Sequence, residues 1–180
     1  MTYYRLKRRY YVGLDLGKRQ DYSAVAIVEE CVWATGERNR ITYAPELRRL
    51  AVLRSIERLG KGMDYLQVVE RVRRILLSDA LRDEEVVLAV DATGVGEPVF
   101  ELIQKMYWEV KAQRTKWLNL AAVVFSSGGK TRWEDYHVFV PKNSLLEGLW
   151  LGLERKEVRL GAEVPGVEEL LRELRHVHRE

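Results

Sequence analysis

One cysteine, three histidines and four prolines are all that this chain of 180 residues sets aside for disulfides, soft metals and rigid turns. Cys31 alone permits no internal disulfide, and with three scattered histidines it makes no structural zinc site. Long apolar runs are missing as well. The longest uncharged stretch, Trp117 to Gly129, is too short and too polar to span a bilayer. At the N-terminus Arg5, Lys7, Arg8 and Arg9 lead into Tyr10, Tyr11 and Val12 and not into a long apolar segment, so no signal peptide is expected. Internal repeats, low-complexity tracts and Pro/Gly-rich linkers are absent, and the chain reads as a single domain over residues 1–180. These absences set aside secreted disulfide scaffolds, zinc modules and membrane proteins. A soluble, cytoplasmic protein with no membrane partner is the expectation.

The composition is that of a folding chain: 47% hydrophobic and 32% charged residues exclude low-hydrophobicity disorder. A chain of this size buries roughly 70% of its unfolded surface. Lys and Arg number 30 against 27 Asp and Glu, a net charge of +3, which says little by itself about partners. Placement says more. Residues 1–10 hold four bases and no acid, and Lys111, Arg114, Lys116, Lys130 and Arg132 follow one another with no acid between them. Such patches can neutralise phosphates and release counterions, although a solvated face would look the same.

Tyr10 to Leu16 is a short aromatic and β-branched run and predicts a buried strand. A tight polar turn over Gly17–Asp21 leads to a second strand, Tyr22 to Val28, antiparallel to the first because the link is so short. Thr35 to Arg40 reads as a loop. Leu47, Leu50, Leu53, Ile56 and Leu59 recur every third residue, and a third strand is expected there because Gly60 and Gly62 follow. A helix capped by Asp64 would carry Leu66, Val69, Val72 and Leu76 on one face. Val86 to Asp91 is a central strand. After the turn Thr93–Gly96 comes a helix with Pro98 in its first turn and Val99, Leu102, Ile103 and Met106 facing inward. Strands at Leu120–Phe125 and Val138–Val140, a loop at Ser126–Gly129, and helices at Ser144–Glu154 and after Pro165-Gly166 complete the pattern. A meander followed by alternating strands and helices predicts an α/β fold with a mixed central sheet, antiparallel strands 1–3 first and parallel strands after, flanked by helices.

Two acids end buried apolar runs: Asp15 in Val12-Gly13-Leu14-Asp15 and Asp91 in Val90-Asp91-Ala92-Thr93-Gly94. A carboxylate in such a run is costly unless it is paired, hydrogen-bonded or bound to metal. On neighbouring strands the two would face each other across roughly 5 Å, and a divalent cation would relieve their repulsion. Oxygen donors suit Mg²⁺ or Mn²⁺. Either aspartate alone would serve as well to cap a turn; the pair in matching contexts points to a metal site. Two phosphate-loop patterns fail on inspection. Val99 replaces the third glycine of a dinucleotide fingerprint begun at Gly94, and Val124 stands where a loop ending in Gly129-Lys130-Thr131 needs its opening glycine. Trp108, Trp117, Trp133 and Trp150 read mostly as core or interface anchors, with Trp133 the one placed to meet nucleic acid.

Taken in order, Gly13-Leu14-Asp15-Leu16-Gly17, Asp21-Tyr22-Ser23-Ala24, Val90-Asp91-Ala92-Thr93-Gly94-Val95-Gly96, Phe125-Ser126-Ser127-Gly128-Gly129 and Val140-Pro141-Lys142 resemble the nuclease domain of bacteriophage large terminase subunits. The resemblance spans nearly the whole chain. It implies an RNase H-like fold and a Mg²⁺- or Mn²⁺-dependent endonuclease acting on double-stranded DNA during packaging, in the host cytoplasm. By match to the motifs, Asp15 and Asp91 would be the catalytic, metal-binding acids. Lys18, Arg19, Lys130, Arg132 and Lys142 would steer the DNA backbone without reading its sequence. The pattern departs at the C-terminus. The family carries a further acidic motif on a helix, and no equivalent aspartate pair follows Leu171-Arg172-Glu173-Leu174; Glu168, Glu169 and Glu173 read as a solvated helix face. The family's ATPase domain is absent too, so a stand-alone or truncated module is expected, its ATPase or other packaging partners on separate chains. The missing acid motivates an alternative, a DNA-binding or assembly module of the same fold without turnover. A Holliday-junction-resolvase-like nuclease is a further alternative.

Overall fold

Runs of Val, Ile, Tyr and Trp draw the first sixty residues into three long strands, β1 (Tyr4–Asp15), β2 (Ala24–Arg38) and β3 (Pro45–Arg58). The computed structural model describes residues 4–17, 21–93 and 97–177. After the meander come α1 (Tyr65–Leu76), β4 (Val86–Asp91), α2 (Glu97–Ala112), β5 (Leu118–Ser126), β6 (Arg132–Glu134), β7 (His137–Pro141), α3 (Lys142–Glu154), β8 (Val158–Leu160) and α4 (Val167–Val177). All strands join one sheet in the order β6-β7-β5-β4-β1-β2-β3-β8. β1, β2 and β3 are antiparallel, whereas β4, β5 and β7 continue from β1 in parallel. The expected mixed sheet is therefore what the chain forms.

Helix α1 starts where the sequence places its cap. Asp64 accepts a hydrogen bond from the Gln67 amide at 2.8 Å, and Gln67 accepts one from the Asp64 amide at 3.2 Å. This reciprocal capping satisfies two amides that a helix end leaves unpaired. The buried stripe of α1 is Val68, Val69, Val72, Ile75 and Leu76. Leu66, expected inward, is 62% exposed, because it lies off that stripe.

One face of the sheet carries the main core, where Val12, Leu14, Val25, Leu88, Val90 and Leu120 pack against side chains of α1 and α2. On the opposite face Leu53 meets Val164 and Val167, with Leu170 of α4 alongside. Strand side chains alternate, so Asp15 and Asp91, each following a core residue, project from the face opposite α1 and α2.

Several expectations need correction. The segment Thr35–Arg40 is no loop as a whole, since β2 continues to Arg38 and the turn comes after it. The strands β6 and β8 were not anticipated; each is three residues long and sits at an edge of the sheet. Of the turn Thr93–Gly96 only Thr93 lies among the described residues, and of the turn Gly17–Asp21 only Gly17 and Asp21. Among the described residues no helix is long and apolar enough to cross a membrane.

Candidate active site at the carboxyl edge of the sheet

The parallel register of β1 and β4 pairs Leu14 with Val90, which sets Asp15 beside Asp91 at the same edge. Across β1 the row continues through Ala24 to Arg58, and across β4 to Val123. Two carboxylates from segments far apart in sequence are thus neighbours because two buried runs stop at the same level. Asp15 is exposed to solvent at the strand end and Asp91 is half-buried.

Their electrostatics carry the mark of proximity. The Asp15 carboxyl is held above the usual carboxylate range, first by desolvation and then by the negative charges of Asp91 and Asp21. Among the described residues no donor within hydrogen-bonding distance stabilises its anion. Asp91 is steadied on one side: its Oδ1 accepts the Thr93 amide at 2.8 Å. The Thr93 hydroxyl in turn accepts the Phe125 amide at 3.0 Å, joining the end of β4 to the end of β5.

Asp21, at the end of the expected turn Gly17–Asp21, is a further acid of this edge: the β1–β2 hairpin sets it close enough to Asp15 for its charge to oppose the ionisation of that carboxyl. The signal was present in the short link after Asp15. Ser23 and Gly17 hold this hairpin shut: the Gly17 amide donates to the buried Ser23 hydroxyl at 3.1 Å, and the Ser23 carbonyl accepts the Leu59 amide at 2.8 Å. A Cβ on Gly17 would lie 2.5 Å from the Tyr22 carbonyl oxygen.

The donor set is all oxygen, which fits a hard divalent cation and not a soft one. The three acids nevertheless do not close on one point. Among the described residues no group of three or more His, Cys, Asp or Glu is arranged to hold a metal ion. Asp15 and Asp91 form a pair, with Asp21 acting on it through charge.

The basic residues divide. Lys142 opens α3 directly after β7, whose Pro141 pairs with Ser126 beyond Asp91, so it stands at the same edge and is exposed. Lys130 is exposed in the bend after β5. Arg132 lies on β6, with its guanidinium 4.3 Å from the Phe139 ring centroid and 3.4 Å from Glu134. Lys18 and Arg19 lie outside the described residues.

In the basic N-terminal segment Lys7, Arg8 and Arg9 are paired and form no free phosphate surface. Arg8 pairs with Glu84, and Arg9 with Glu85 at 3.3 Å. Arg114 is likewise structural, donating to the carbonyls of Leu76, Leu81 and Glu84. Trp108, Trp117 and Trp133 are 53%, 46% and 66% exposed, so none of these three is a core anchor. Glu169 and Glu173, read as a solvated face, are partnered: both bind Arg58, the residue that ends the row containing Asp15.

No family model and no curated protein sequence matches this chain. Its three-dimensional likeness is to the nuclease domain of the human cytomegalovirus terminase. Superposition covers 95% of this chain and 74% of that one, with a TM-score of 0.59 at 12% identity. The Mn-soaked form of that domain gives 0.58 at 13% identity, over 95% and 74% of the two chains. An inhibitor-bound, Mn-soaked form gives 0.53 at 12% identity, over 94% and 75%. The mixed sheet flanked by helices is a fold that the chain shares with that nuclease domain. At such identity the likeness concerns fold alone.

Proposed function

We propose that this chain is a nuclease of the large-terminase type that hydrolyses phosphodiesters in double-stranded DNA with Mg²⁺ or Mn²⁺. The observation that carries this reading is the Asp15–Asp91 pair, set side by side by the β1–β4 register and electrostatically coupled. The soaking of Mn into a domain of the same fold is in keeping with it.

Asp15 and Asp91 would hold the cation. Once bound there, such an ion lowers the pKa of water and stabilises the charge that develops on a phosphate under attack. The rest is work for the chain's own side chains. Asp15 binds a proton more readily than an isolated aspartate, so cation and proton compete for it. The Thr93 amide fixes Asp91 through Oδ1. Lys130 and Lys142 would hold the DNA backbone at the same edge, and Lys18 and Arg19, outside the described residues, would add to its steering. Arg132, tethered at Phe139 and Glu134, would add charge without grasping one phosphate. Packaging partners, a terminase ATPase among them, complete the proposal.

A second reading has its own support. With no three-ligand group among the described residues, a DNA-binding or assembly module without turnover would need nothing beyond this architecture. Incubating supercoiled plasmid with the protein and Mn²⁺ separates the two. The nuclease reading expects cleavage by the wild type, falling at least about a hundredfold in Asp91→Asn and in Asp15→Asn, the loss of several kcal/mol of charge stabilisation. Binding with no cleavage at any Mn²⁺ concentration would leave the second reading standing.

A further inference from the structure

Beyond the carboxylates, the sheet carries an aromatic and basic depression toward the other end of its antiparallel strands. Trp33 lies nine positions along β2 from Ala24, a path of about 30 Å at strand spacing. It projects from the same side as Val25 and Glu29. In register, Trp33 has Arg5 of β1 on one side and Arg48 of β3 on the other. Arg159 of β8, paired with Val52, reaches the same place. Trp33, Arg48, Leu50 and Arg159 line a cavity of about 250 Å³.

What distinguishes this cluster is unspent charge gathered around an indole. Several arginines of the sheet are neutralised, Arg8 by Glu84, Arg9 by Glu85, Arg54 by Glu29 and Arg58 by Glu169 and Glu173, while Arg38 and Arg49, which have no carboxylate partner among the described residues, do not line the cavity. Among the described residues Arg5, Arg48 and Arg159 have no carboxylate in ion-pairing range. Two guanidinium groups therefore border a floor made of an indole and a leucine. A plain phosphate would use the rim and waste the floor. An apolar ligand would do the reverse. A nucleotide unit uses both, its base face on the indole and its phosphates at the arginines. The cavity has room for one base and not for a dinucleotide cofactor. In a duplex the base faces are covered by their neighbours, which leaves Trp33 nothing to stack on.

We propose that Trp33, Arg48 and Arg159 form a docking site for single-stranded nucleic acid, with one base on Trp33 and the flanking phosphates at Arg48 and Arg159. The site stands apart from the Asp15–Asp91 edge and does not rest on cleavage. Its test is accordingly run in EDTA, as fluorescence anisotropy of labelled oligothymidylate and oligouridylate of about twelve nucleotides, the length range of single-strand binding sites. Trp33→Ala is expected to weaken binding about five- to 150-fold, the worth of one stacked base, and Trp33→Phe to restore most of it. Should Trp33→Ala not fold, the exposed double variant R48Q/R159Q carries the test. It should lower affinity and take about 1.4 off the slope of log affinity against log salt, two phosphates at about 0.7 each. Weakening of either strand in this pattern supports the site, and sugar preference then tells DNA from RNA. Unchanged affinity in every variant overturns it. So does equal weakening of single strand and duplex by R48Q/R159Q with Trp33→Ala silent, which would mark a surface for duplex backbone only.

Discussion

At Asp15 the sequence puts a charge where the chain would otherwise continue to bury apolar surface, and the residue pays in proton affinity. Its carboxyl sits high, through desolvation first and then the charges of Asp91 and Asp21. The sign of the consequence follows. A carboxyl whose pKa is higher folded than unfolded favours the folded state while protonated, and this contribution is lost as pH rises through the folded value. Asp15→Asn should therefore raise the melting temperature at pH 7 in EDTA. The gain should fade as pH falls through the raised folded value and be gone below the unfolded aspartate range near 3.9. Thermal melts across that span check it, and an Asn variant less stable than wild type at pH 7 would contradict the cause assigned to the shift. Burial acts on Cys31 in the same direction: desolvation, then Glu29, holds its thiol above the usual range, which disfavours the thiolate and weakens it as a nucleophile.

Among elements, the β1–β2 hairpin matters most, since it brings Asp21 back toward Asp15. Gly17 is required there for space: a methyl group would press on the Tyr22 backbone, which cannot yield as a side chain does. Gly17→Ala should cost about 1–3 kcal/mol, in the range of overpacking, and should weaken Mn²⁺ binding by displacing the strand end. Urea unfolding and a Mn²⁺ titration of the same variant measure both. Arg114 does comparable work for the segment after α1, where its guanidinium satisfies three carbonyls of the α1 end and the α1–β4 link. Losing those charged hydrogen bonds in Arg114→Met should cost about 2–3 kcal/mol, and a variant as stable as wild type in denaturant would refute the tie. Helix α2 was legible because its period repeats often enough to stand out, and β4 because its short apolar run is unbroken up to Asp91. Three-residue β6 and β8 carry no such signal, and β8 pairs with β3, remote in sequence. Leu66 misled because a single leucine fitted the period while the true stripe ran through Val68 and Ile75.

For the molecule as a whole, the sheet order decides what the aspartates can do. Parallel strands that leave the core at one level deliver their C-terminal residues to one edge, and a run such as Leu88-Ala89-Val90-Asp91 announces this in its composition. That much of the candidate site could be read directly. Asp21 could not, because a turn acid looks like any other until the hairpin is closed. The charges misled for a related reason: Arg8 and Arg9 read as a basic patch, yet their partners Glu84 and Glu85 come from a distant segment that the sheet places beside them. The central claim is that Asp15 and Asp91 jointly hold one divalent cation at that edge, and a crystal soaked in Mn²⁺ tests it most directly. Anomalous density touching carboxylate oxygens of both residues, and absent from an Asp91→Asn crystal, is the predicted result. Density elsewhere, or none at this edge at saturating Mn²⁺, would contradict it.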